Sequence, residues 1–322
     1  MKFDLDAQQR DFANSIDAAL SAADVPTAVR AFGAGDTAPG RRIWSQLAEL
    51  GVTALMVPER HDGIEAHPVD LMVALERLGR WCVPGPVTES IAVAPLLLAG
   101  APDEAERCAA LAAGDLIATV AAPPSVPRAV NADIAGLVLA ADPDGSVAVA
   151  EAGAAHASVD PTRTGFEVSP TGARWDADTA TAYEFGALAT AAQLVGAGTA
   201  LLDASVEYAK QRTQFGRVIG SYQAIKHKLA DVHIAVEMAR PLIYGAALSL
   251  AEGSADTARD VSAAKVAAAD AALLAAQSAL QTHGAIGFTA EHDLSLWLLR
   301  VQALRPAWGN PAAHRRRVLE AI

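Results

Sequence analysis

The chain has 322 residues, 52% of them hydrophobic but only 5% aromatic, and 75 are alanine. That composition favours packed helices over sheets rich in β-branched and aromatic residues, and a charged fraction of 19% argues against disorder. The net charge of −12 excludes the basic face that a nucleic-acid binder needs.

Two cysteines, Cys82 and Cys108, make neither a disulfide framework nor a metal cluster and fit a reducing, cytoplasmic compartment. The opening residues MKFDLDAQQRDF carry acids where a secretory leader needs an apolar run. No apolar stretch of bilayer length is free of charge or glycine, so no membrane span is expected. By the usual prior the length suggests about two domains.

Residues 1–113 read as helices joined by short turns. Asp4 and Asp6 precede a periodic segment with Phe12, Ile16 and Leu20 on one face, the pattern of an N-capped amphipathic helix. AFGAGDTAPG reads as a loop, IWSQLAELG as a short helix capped by Gly51, and VTALMVPERHDGIEA as a connector. PVDLMVALERLGRW predicts another helix. After two prolines the apolar run IAVAPLLLAG reads as buried core, and EAERCAALAAG closes the block.

Residues 114–181 change character. IATVAA, IAGLVLAAD and VAVAE, separated by turn signals such as Pro123-Pro124 and Asp142-Pro143-Asp144-Gly145, predict short strands. From 182 to 322 the chain is helical again. Leu188, Ala191, Val195, Leu202, Val206 and Ala209 recur at helical spacing, and Gly216 and Gly220 end that helix. A second helix follows with a possible kink at Pro241, then a third up to Gly284, a fourth over AEHDLSLWLLRVQAL and a last over HRRRVLEAI. Long antiparallel helices with short links predict a bundle.

The chain has no GxGxxG, P-loop, HExxH, CxxC or GxSxG motif, so the familiar nucleotide, metal and hydrolase signatures are missing. Two corners stand out instead. YAKQRTQFGRVIGSYQ places Arg212, Thr213, Phe215 and Gln223 around a glycine turn, where a guanidinium, a hydroxyl and an amide could grip a diphosphate and an adenine. QTHGAIGF sets glycines beside Gln281 and His283, which would let a ligand approach the backbone closely. The plainer alternative is that Arg212 makes surface ion pairs and the glycines cap helices. His61, His67, His156 and His314 read as isolated and solvated, while His227, His233, His283 and His292 lie on or near bundle helices without paired-ligand spacing. His314-Arg315-Arg316-Arg317 reads as a solvated basic face, or as a contact for a phosphate or an acidic partner.

YAKQRTQFGRVIGSYQAIKHKLADV resembles the signature corner of the acyl-CoA dehydrogenase family, and QTHGAIGFTAEHDLSLWLLR its following segment. WSQLAELGVTALMVPERHDG and ALERLGR are similar to the family's first helical domain. The resemblance implies a mainly α fold with a small β domain: an N-terminal helical domain over 1–113, a reduced middle β domain over 114–181, and a C-terminal four-helix bundle over 182–322. It also implies FAD, and α,β-dehydrogenation of an acyl-CoA in which a carboxylate removes the α-proton while a hydride passes to the flavin. In the family the ADP half of FAD is held by the subunit next to the one that holds the flavin ring. Arg212, Phe215 and Gln223 match the residues that hold it, with Thr213 in the same turn. Gln281, Gly284 and Gly287 match a further contact segment in which Ala285 replaces a glycine.

The departures lie at the base and the flavin cradle. Trp308 stands for the Tyr of the family's Tyr-Glu-Gly-Thr stretch, and Gly309 or a deletion takes the Glu position. The alternative base position, on the first C-terminal helix, falls on Gly186. Glycine cannot abstract a proton. Glu184, Asp203 and Glu207 lie on the same helix and read first as solvated or capping acids. The Thr-Glu-Pro-x-x-Gly-Ser-Asp stretch and its Trp-containing strand have no counterpart in PPSVPRAVNADIAGLVL. This pattern resembles the non-catalytic subunit type of actinobacterial α2β2 steroid-side-chain acyl-CoA dehydrogenases, which shares FAD with a catalytic partner subunit. Two alternatives stand beside it: a self-sufficient homomeric enzyme with a relocated base, Glu184 or Glu207, and a flavin-free scaffold subunit.

Overall fold

The computed structural model describes residues 4–322. Helix α1 (Ala7–Ser21) starts at an Asp6 cap whose carboxylate accepts from the Gln9 N–H while the Gln9 amide returns to Asp6 N, satisfying two otherwise orphaned donors. Helices α2 (Val25–Gly33), α3 (Ala38–Glu49), α4 (Pro68–Arg80), α5 (Ala94–Leu97) and α6 (Glu104–Ala112) complete the first helical block. A buried π-helical turn, Thr88–Val93, leads into α5. The expected loop over 31–40 shrinks to 34–37, because Pro39 lies in the first turn of α3, where its missing N–H has no helical partner to lose.

The middle sheet has the order β1-β3-β4-β5-β2. Its strands are β1 (Ala118–Ala121), β2 (Ala129–Val130), β3 (Leu137–Ala141), β4 (Ser146–His156) and β5 (Gly165–Asp176). β1 and β3 pair in parallel and the other pairs are antiparallel. The longest strand, β5, escaped the sequence patterning. It carries Pro170 and Gly172, the latter at φ 77°, and its register against β4 shifts twice. A bulged strand tolerates both residues and loses the alternation that marks a regular one.

Helix α7 (Thr179–Gln211) runs through the molecule and is continuously buried from Glu184 to Gly198. It packs against α8 (Gln223–Ala251) and α9 (Thr257–His283), with α10 (Leu294–Leu304) and α11 (Pro311–Glu320) completing the C-terminal block. α8 continues as helix through Pro241. By length and composition, α7, α8 and the segment from Thr257 to Phe288 are apolar enough to cross a membrane. In α7 that apolarity is spent on the core, since 89% of its most apolar window is buried, whereas in α8 the figure is 33%.

Two glycines fix how the first block meets the bundle. A Cβ on Gly79 of α4 would lie 2.2 Å from the Gln193 carbonyl oxygen, and one on Gly196 of α7 would lie 1.9 Å from that of Glu76. The two backbones therefore touch. At this crossing the buried Glu76 carboxylate accepts from the Arg240 Nε at 3.1 Å, Arg77 at 2.7 Å and the Tyr244 hydroxyl at 3.4 Å, a set of donors that a charge out of water requires.

Candidate functional site

The Arg212 corner is a two-residue hairpin grafted onto the end of α7. Arg212 caps the helix, its N–H bonding the Tyr208 carbonyl at 2.9 Å. β6 (Thr213–Gln214) then pairs with β7 (Arg217–Val218). Phe215 at φ 53° and Gly216 at φ 78° both take the left-handed conformation, as a tight hairpin of this twist demands. Glycine adopts it freely, but phenylalanine does so at a cost. Its ring gains no burial in return: Phe215 is 91% exposed. Arg212, Thr213 and Gln223 are exposed as well. The turn is held from behind by the Arg217 guanidinium 4.0 Å over the Tyr222 ring and by the Tyr222 hydroxyl on the Gln214 carbonyl at 3.3 Å.

The second corner lies at the same end of the bundle. Tyr208 stacks on His283 with centroids 4.3 Å apart, tying the end of α9 to that of α7. His283 is buried, and burial pushes its pKa down. Gln281 is exposed and accepts from Lys228 of α8. Gly284 sits at φ 64°, and nothing would meet a Cβ there within 4 Å, so its backbone faces open space. Ala285 is exposed. Gly287 lies deeper. It is buried, and its Cβ position lies 3.2 Å from both His283 and Leu280, which makes it a packing glycine. Arg212, Thr213, Phe215, Gln223, Gln281 and Gly284 could therefore meet one diphosphate-bearing ligand from this end, whereas Gly287 packs its Cα against the core.

The two candidate base positions both lie at Trp308, Gly186 against its ring and Gly309 against the groups that hold its carbonyl. A Cβ on Gly186 would lie 2.3 Å from the Trp308 ring, and one on Gly309 would lie 2.5 Å from both His314 Nε2 and the Tyr183 hydroxyl. A glutamate fits at neither place. Trp308 is 1% exposed, and its Nε1 donates to Glu89 Oε1 at 3.0 Å. Its carbonyl accepts from His314 Nε2 at 2.9 Å and from the Tyr183 hydroxyl at 3.2 Å. Of the other acids considered, Glu184 is bonded to Arg317, Glu207 pairs with Lys210 at 2.6 Å on the surface, and Asp203 pairs with Arg80 at 2.8 Å. Burial raises the Glu184 pKa and the Arg317 bond opposes that rise.

Around this centre lies a set of buried charges that sequence reading missed. Arg300 donates to Asp160 at 2.6 Å, to Thr162 at 2.9 Å and to the Val83 carbonyl at 2.8 Å. Burial works against the Asp160 charge, but Arg300 and Thr162 hold its carboxyl below the usual range. Lys265 is fully buried and donates to the Leu304 carbonyl at 2.9 Å, and burial drives its pKa far down. The signal available in the sequence was a lone charge inside an apolar run, as with Glu89 in VTESIAV and Lys265 in SAAKVAAA. His314 also departs from the solvated reading. It is buried, with Nδ1 3.0 Å from the Ser262 hydroxyl, so the expected basic face loses its first member. Arg315 and Arg317 answer Asp270 and Glu184. His61, His67 and His156 have local partners in Glu104, the Val69 N–H and Glu167. Burial pushes both cysteine thiols up to about 11, which leaves them unreactive. Among the described residues no group of His, Cys, Asp and Glu converges to hold a metal.

The helical block, small sheet and long bundle, with an exposed Arg-Phe corner at the bundle's end, are the layout of one enzyme family. An acyl-CoA dehydrogenase N-terminal domain matches residues 6–115, and an acyl-CoA dehydrogenase C-terminal domain matches residues 175–322. The chain belongs to the acyl-CoA dehydrogenase family. It is 32% identical over 295 residues to acyl-CoA dehydrogenase IpdE2 of Mycobacterium tuberculosis, covering 91% of this chain and 90% of that protein. Its fold is also that of a chain of the ChsE4-ChsE5 complex from Mycobacterium tuberculosis (TM-score 0.84, 24% identity, 99% of this chain and 98% of that one). It matches a chain of the steroid ACAD Tcur3481-Tcur3483 as well (TM-score 0.83, 21% identity, 97% of each chain).

Proposed function

We propose that this chain is the base-less subunit of a hetero-oligomeric, FAD-dependent acyl-CoA dehydrogenase, an α2β2 assembly in which it completes the partner's FAD site by holding the ADP moiety. One contrast carries the reading: Phe215 is left-handed and exposed beside Arg212, while Gly186 and Gly309 lie sealed around Trp308. An apolar ring held at a conformational cost in solvent is an anchor whose contacts lie in another molecule. Bound FAD would supply the hydride acceptor, and the partner would supply the carboxylate that takes the α-proton. In this chain Arg212 would fork onto the diphosphate, while Phe215, Gln223, Gln281 and the open backbone at Gly284 would position the adenosine end. The substrate is an acyl-CoA thioester of a steroid side chain, a reading supported by the resemblance and by the shared fold of the steroid enzyme named above. Two buried, unreactive thiols are in keeping with a cytoplasmic setting.

A relocated base has less support. Glu184 is already committed to Arg317, and Glu207 stands on the surface beside Lys210. The test is to express the chain alone and together with a candidate partner, an acyl-CoA dehydrogenase subunit of the same organism that keeps its catalytic glutamate, then measure flavin absorbance and turnover. The co-complex is expected to hold FAD and to turn over; the lone chain is expected to do neither. Bound FAD with turnover in the lone chain would overturn the proposal. In the co-complex, Arg212→Ala should weaken FAD retention roughly tenfold or more, the scale of a lost charge-assisted bond. Unchanged flavin content would instead make the chain a scaffold.

A further inference from the structure

The indole of Trp308 is the largest fully buried side chain of the protein. The ring lies on the bare Cα of Gly186, where a Cβ would come within 2.3–2.7 Å of three ring carbons. Its one polar atom finds one acceptor, Glu89 Oε1, at 3.0 Å. The polar end has capacity to spare. Glu89 Oε2 and Arg163 Nη1 are buried without a hydrogen-bond partner, and the Arg163 guanidinium stands 3.8 Å from Glu89 Oε1. The main chain of residue 308 is anchored independently of the ring. Tyr183 and His314 hold its carbonyl, and they keep Trp308 at φ 56°, a conformation that non-glycine residues adopt only under such constraint.

We propose that Trp308 is the resident occupant of an internal ligand site, and that the site, once vacated, takes a neutral planar bicyclic ring bearing a single N–H donor. Removal of a side chain from a close-packed interior leaves a cavity that relaxes only in part, and a cavity of this shape, apolar along Gly186 and polar at Glu89, would take a ring that matches both. Selectivity for the N–H follows from Glu89. A ring without the donor leaves a buried carboxylate oxygen unpaired, which is costly. The inference uses neither FAD nor a partner chain, so it stands or falls apart from the function proposed above.

The experiment uses the full chain carrying Trp308→Ala, with indole as probe and benzothiophene as a ring of the same outline lacking the N–H. Indole should raise the melting temperature of the variant in a saturable way, by roughly 4–6 °C at about a hundredfold excess over its Kd, and should leave the native chain unmoved. Benzothiophene should bind about tenfold or more weakly, and Glu89→Leu added to Trp308→Ala should abolish that difference. A folded variant that ignores indole would overturn the proposal, and so would equal affinity for the two rings. If Trp308→Ala does not accumulate as folded protein, its refolding yield with and without indole is the readout. Recovery that depends on indole supports the site; indifference to indole overturns it.

Discussion

At the scale of single residues, burial in the sealed centre shifts the protonation of a histidine and a lysine. His314 shows this most directly. Burial, aided by the nearby charges of Lys265 and Arg317, lowers its pKa from 6.5 to about 4, with the bond to Trp308 opposing. The unfolded chain therefore takes up a proton below about pH 6.5 that the folded chain refuses until about pH 4. The sign follows: the contribution is whole above pH 6.5, declines as pH falls from there to about 4, and changes no further below. The full decline is up to about 3 kcal/mol. His314→Gln keeps a donor and an acceptor but cannot titrate. Its urea midpoint should fall less than the native one between pH 7 and pH 4.5, and parallel declines would show that His314 contributes nothing to the acid limb. None of this was visible in the sequence, where His314 heads a basic run. Its neighbours Ser262 and Trp308 are brought to it only by the packing of α9 and of the segment preceding α11.

Secondary-structure elements carried most of what the sequence could tell. Gly51, Gly216 and Gly284 marked helix ends or turns, and the helical spacing of apolar residues marked α1, α4 and α7, because period and capping are local properties. The Arg212 corner was legible for the same reason, being a contiguous run. The Trp308 centre was not: it joins residues 89, 186 and 308, which three elements bring together, and no local rule links them. Gly79 and Gly196 belong to this non-local class. Their role appears only when α4 and α7 are seen to meet backbone to backbone. Gly196→Ala must push a methyl into the Glu76 carbonyl and the Arg80 N–H. Backbone cannot yield as a flexible side chain would, so a loss of about 3 kcal/mol is expected, measurable as a lower denaturant midpoint. A change under about 0.5 kcal/mol would mean that the helices can slide apart.

For the whole molecule, the distribution of exposed apolar side chains is uneven. Ile234, Met238 and Leu242 repeat every four residues along α8 at 59%, 67% and 45% exposure, and Phe215, Ile286 and Phe288 gather at the bundle's end. A face of this kind belongs against another protein surface, in keeping with the proposed assembly. The paired substitution Ile234→Asp with Met238→Asp should reduce the mass of the co-expressed complex in light scattering while leaving the far-ultraviolet circular dichroism unchanged; an undiminished mass would place the contact elsewhere. α7 also acts as a ruler. From Gly186, under the Trp308 ring, to Arg212, at the exposed tip, its axis spans roughly 40 Å, further than an extended dinucleotide can reach. A cofactor gripped at that tip would carry its reactive ring beyond the reach of this chain's own closed centre. Refilling Gly186 or Gly309 with glutamate would therefore leave the acid and the flavin on opposite ends of one rod.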